Sequence, residues 1–116
     1  MDPAVFRVDK FAVPGHARRE FLEKVLATHA LLRTQAGFVR DVILEQTSGP
    51  AEFNFVTIVE WESAAAIEPA RQAVAALHRR MSFDPREMVA RLGIRADIGD
   101  YKPAEMAKPA SESLDT

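Results

Sequence analysis

The sequence predicts an α+β domain on the ferredoxin-like split βαβ plan: a four-stranded antiparallel sheet with two long helices on one face. Three observations lead there. Segments rich in Val, Ile and Phe alternate with segments whose apolar residues recur every three or four positions, in the order β-α-β-β-α-(α)-β. Residues 4–46 and 53–101 follow the same β-α-β logic, although no sequence repeat is visible. The strands are also apolar at both parities, so helices covering one face would leave a second oily face uncovered.

Each element has its own justification. Residues 4–13, AVFRVDKFAV, form the first strand and end at Pro14-Gly15. From about His16 to Gln35 the period turns helical. Phe21, Leu22, Val25, Leu26, His29 and Leu32 make one inward stripe, Glu20 and Lys24 pair outside it, and Gly37 is the stop. Phe38–Gln46 and Phe53–Trp61 are the second and third strands, joined across TSGPAE. On the third, Phe53, Phe55, Val59 and Trp61 share one face, and Val56 and Ile58 the other.

Ser63 can cap a short turn over residues 64–68. Pro69 then predicts a break before a second helix, which runs to about Met81 with Ala70, Val74, Leu77, His78 and Met81 inward. Asp84-Pro85-Arg86-Glu87 combines an N-cap acid, a first-turn proline and a glutamate that can reach back. It opens a short helix that ends at Gly93, and Ile94–Tyr101 is the last strand. Residues 1–102 thus form one domain, and residues 103–116 a Pro-, Ala- and Ser-rich tail expected to be flexible.

Composition narrows the function classes. With 116 residues, 47% hydrophobic and 28% charged, the chain fits one soluble domain with a single core. A net charge of −2 speaks against nucleic acid as a partner. No apolar run nears the ~20 residues that cross a bilayer, so no membrane is expected. The opening MDPAVFRVDK is unlike a signal peptide, which makes the cytoplasm the expected location. The absence of Cys excludes disulfides, thiolate metal sites and cysteine nucleophiles. The glycines are too dispersed for phosphate loops or dinucleotide fingerprints, so neither metal nor cofactor is implied. The uncovered apolar face predicts a twofold dimer joined sheet to sheet.

Two histidines interrupt the helical stripes: His29 between Val25 and Leu32, His78 between Val74 and Met81. If both helices pack on one sheet face, the two imidazoles look into one space. A neutral imidazole, with a pKa near ~6.5, suits general-base work there. The structural alternative is a ring that bonds a backbone carbonyl or one that emerges at the stripe's edge. Trp61 and Tyr101 end the third and fourth strands, where each can pack locally or stack on a planar ligand. Arg7 and Asp9 share a strand face, as substrate-orienting groups or as an ion network.

Several of these motifs together resemble a known family. They are Val13-Pro14-Gly15, Phe21, Ala36-Gly37-Phe38, Val59-Glu60-Trp61-Glu62-Ser63 before an Ala-rich helix, and Phe83-Asp84-Pro85 through Leu92-Gly93-Ile94 with Tyr101. The chain resembles the antibiotic biosynthesis monooxygenase family of dimeric α+β barrels over about residues 4–102. The resemblance implies a homodimer through the sheet face and a cofactor-independent monooxygenase acting on an electron-rich aromatic, a quinol or polyphenol, with dioxygen. His78 or His29 would be the base, and Trp61, Tyr101 and Arg7 would orient the substrate. The alternative is a non-catalytic small-molecule binding or stress-response module on the same fold. His78 is favoured because haem-degrading relatives carry a histidine in this part of the second helix. Haem degradation itself is not expected. Those relatives also use an asparagine in the first strand and a tryptophan in the second helical segment, whereas this first strand offers Arg7, Asp9 and Lys10 and the only tryptophan is Trp61.

Overall fold

In the computed structural model, which describes residues 3–105, four strands form one sheet. They are β1 (Val5–Ala12), β2 (Phe38–Glu45), β3 (Phe55–Trp61) and β4 (Arg95–Tyr101). Their order is β2-β3-β1-β4 with every neighbouring pair antiparallel, as the split βαβ plan requires. Helices α1 (Arg18–Leu32) and α2 (Ile67–Arg80) make the two crossovers, and α3 (Pro85–Leu92) leads into β4. Tail residues 106–116, for which flexibility is expected, lie outside the described residues.

Register divides the sheet into two faces. Arg7, Asp9 and Phe11 on β1 lie opposite Val59, Thr57 and Phe55 on β3, and opposite Asp100, Ile98 and Ala96 on β4. The helices cover this face, burying Phe55, Thr57, Val59 and Trp61. Phe6, Val8, Val56 and Ile58 belong to the open face, together with Val42, Leu44 and Tyr101. Strict alternation along β2 would set Phe38 and Asp41 on opposite faces. A bulge between Phe38 and Arg40 inserts Val39, and both residues then turn to the helical side, opposite Trp61 and Val59.

Packing concentrates in two clusters. The Phe21 ring meets Phe11 at 4.9 Å and Phe55 at 5.1 Å, with Val13, Ala17, Met88 and Ile94 around them. Burying Phe21 and Phe55 contributes about 2–3 kcal/mol each. The second cluster joins Val59, Trp61 and Ala70, with Phe38 edge-on to Trp61 at 6.0 Å. Both clusters pin helices to the same face.

Local departures from the sequence reading have simple causes. The expected break at Pro69 does not occur: Pro69 is the third residue of α2, in a first turn whose N–H groups have no intrahelical acceptor to lose. The turn before α2 is a 3₁₀ turn, Ala64–Ala66, and Ser63 makes no side-chain capping bond to it. Asp84 does cap α3, accepting from the Arg86 N–H at 3.0 Å, but Glu87 binds Arg91 rather than reaching back. Leu26 is 54% exposed, because one step beyond Val25 turns about 100° away from the sheet.

Candidate functional site

Between the helices and the covered sheet face lies a cavity of about 680 Å³, within the ~300–1,000 Å³ range of small-molecule sites. Its walls are largely apolar, with Phe21 and Val25 from α1, Met88 and Val89 from α3, and Phe83 and Ile98. The α3 roof is fastened to α1 by Arg91, whose guanidinium meets Glu20 at 2.6 Å and Glu87 at 2.7 Å. Polar groups also face the cavity: Arg7 and Asp9 from β1, Thr57 from β3, Thr28 and His29 from α1, and His78 from α2.

His29 is held most firmly. Its Nδ1 lies 2.8 Å from Asp41 Oδ2, and both side chains are buried. Arg33 grips the same carboxylate with two bonds, Nε to Oδ1 at 3.0 Å and Nη2 to Oδ2 at 2.9 Å. Burial pushes the Asp41 pKa up, but the hydrogen bonds from Arg33 and His29 outweigh it and hold the carboxyl below its ordinary value. An ionised carboxylate only accepts, so Nδ1 is the donor, and the tautomer this bond selects has its lone pair on Nε2. Among the described residues Nε2 has no hydrogen-bond partner, and His29 lines the cavity.

His78 is set differently. Its Nε2 is 3.1 Å from the Thr28 hydroxyl, and the Phe83 ring stands edge-on at 4.9 Å. Burial first, then the Lys24 charge, lowers its pKa below the ordinary imidazole value. The ring is therefore neutral near pH 7. On β1, Arg7 Nε donates to Asp9 Oδ1 at 2.7 Å. Burial raises the Asp9 pKa, and the Arg7 bond offsets this only in part.

Of the five residues to which the resemblance gives a role, three line this cavity: His29, His78 and Arg7. Trp61 lines a neighbouring cavity of about 200 Å³ instead. Tyr101 touches neither. It pairs with Phe6, whose parity belongs to the open face, and is 51% exposed beside Gly99. Register thus places Tyr101 away from the cavity that His29, His78 and Arg7 share. Sequence reasoning missed Asp41, Thr28 and Thr57. Thr57 had left a signal, a lone hydroxyl between Phe55 and Val59 on the buried parity of β3. Among the described residues no three His, Asp or Glu side chains are grouped to hold a metal, and no helix is long and apolar enough to cross a membrane.

The sequence model of one family, antibiotic biosynthesis monooxygenase, matches residues 4–79. Solved structures of similar fold include a candidate monooxygenase from Shewanella loihica PV-4, at 18% identity and a TM-score of 0.64, covering 91% of this chain and 99% of that one. SnoaB, a cofactor-independent oxygenase from Streptomyces nogalater, is similar at 22% identity and a TM-score of 0.57, covering 91% of this chain and 98% of its own. A mutant of MhuD with two manganese protoporphyrin IX molecules bound per active site is similar at 17% identity and a TM-score of 0.65, covering 89% and 97%. At these identities the likeness is one of fold. No curated protein matches the chain.

Proposed function

Because the chain belongs to the antibiotic biosynthesis monooxygenase family, we propose that it is a cofactor-independent monooxygenase of an electron-rich aromatic, a quinol or polyphenol. One observation carries this reading: a histidine clamped by a buried carboxylate lines a cavity large enough for such a substrate, and its Nε2 has no hydrogen-bond partner among the described residues. The fold shared with SnoaB, a cofactor-independent oxygenase, supports the same class of chemistry.

The chemistry asks for a base and little else. His29 Nε2 takes the proton of a ring hydroxyl, and Asp41 stabilises the imidazolium that forms. The resulting anion is electron-rich enough to reduce dioxygen. One oxygen atom enters a ring carbon and the other leaves as water, so quinol plus dioxygen gives hydroxyquinone plus water, with the substrate as sole reductant. His78, neutral and bound to Thr28, is the second base or an orienting group, and Arg7 offers N–H donors to a ring oxygen. The apolar walls exclude water from the anion.

The protein works in the cytoplasm as a homodimer closed through the open sheet face. Val39, Val42, Leu44 and Tyr101 are between 41% and 51% exposed, and Val39, Val42 and Leu44 line the β2 edge. An uncovered face of this kind is what a second copy would bury.

Dioxygen uptake with a panel of quinols tests the reading. Turnover above buffer is expected, with His29→Ala lowering it about a hundredfold or more. Full activity in both His29→Ala and His78→Ala would remove this mechanism. Thermal stabilisation by a quinol without any product would replace it with the binding-module reading.

A further inference from the structure

The neighbouring cavity has a role that neither the family nor the proposed chemistry assigns. At about 200 Å³ it falls below the ~300 Å³ that small-molecule sites usually need, so a quinol of two or more rings does not fit. Its walls include Leu32, Val59, Trp61, Ile67, Ala70 and Val74. Trp61 is buried and braced edge-on by Phe38, which makes that wall stiff. Arg71 also lines this cavity, with its guanidinium 3.6 Å from Glu68. Half of its lining residues are apolar, and a space of this size admits a small apolar guest such as xenon against them.

The two cavities share a polar border: Arg7, Asp9, Thr28, His29 and Thr57 line both. We propose that the smaller chamber is the dioxygen compartment of the site, with the aromatic substrate in the larger chamber and His29 on the wall between them. This rests on the oxygenase reading above. A ring whose hydroxyl reaches His29 from the large side presents its adjacent carbon at the border. Dioxygen, apolar and without hydrogen-bonding needs, reaches the same border from the small side. The arrangement separates the two reactants by size, and it gives Trp61 the task of walling the gas chamber rather than stacking on the substrate.

Xenon-pressurised crystals of the full chain test the chamber without any turnover. Xenon bound against Trp61, Ala70 and Val74 is expected, and its loss in Val74→Leu, which fills the space. Xenon confined to the larger cavity would overturn the proposal. Steady-state kinetics then separate gas from substrate. Val74→Leu, with Ala70→Val as the second variant, should raise KM for dioxygen several-fold and leave KM for the quinol unchanged. A raised KM for the quinol instead would make the chamber an arm of the substrate site and sink the idea. If no quinol supports oxygen uptake, the oxygenase reading fails while the xenon result still decides whether a gas chamber exists.

Discussion

At Asp41 three interactions meet: burial against β3, two bonds from Arg33, and the Nδ1–H of His29. Asp41→Asn keeps the volume and removes the charge. Arg33 is half exposed and can turn to water, so the expected loss is about 1–3 kcal/mol rather than that of a fully buried pair, measurable by urea unfolding at neutral pH. The sign with pH follows from the depressed pKa. Asp41 stabilises the fold fully above its unfolded value near ~3.9, and this stabilisation fades as pH falls through its lower folded value. The variant should lack that part of the acid limb. The two histidines were legible in the sequence because a polar ring interrupting an apolar stripe is conspicuous. Their partner was not, since Asp41 looks like one more charge on a mixed strand.

Elements announce themselves where periodicity is long and punctuated. The four strands and both long helices were readable to within a few residues, and Asp84-Pro85 fixed the start of α3. The bulge at Val39 was not readable, because a single inserted residue leaves no compositional trace, yet it sets Phe38 and Asp41 on the same face. The α1–β2 connection has a second constraint. Gly37 has φ +86°, its carbonyl accepts the Glu62 N–H at 2.8 Å, and a methyl group there would collide with the Ala66 side chain. Gly37→Ala is expected to destabilise by about 2–4 kcal/mol, through the left-handed backbone and the clash together, as read by thermal or urea melts. Gly15→Ala, with open space around it and no positive φ, is the control that should change little.

Whole-molecule behaviour turns on the open face of the sheet. Light scattering of the wild-type chain is expected to report twice the monomer mass of 12.9 kDa, and a double change of Val42→Lys with Leu44→Lys to return single chains. A wild-type chain that stays single at micromolar concentration would remove the dimer, while leaving the cavity within each chain intact. On the opposite side, the roof over the cavity is tied down by Arg91, Glu20 and Glu87, all partly or fully exposed to solvent. Exposed ion pairs weaken as the Debye length shrinks from about 10 Å at 0.1 M to 3 Å at 1 M salt. Ionic strength thus becomes a throttle on the traffic of guests. Stopped-flow association and release of a quinol should both accelerate by up to a few-fold in concentrated salt, and Arg91→Ala should be fast from the outset and insensitive to it.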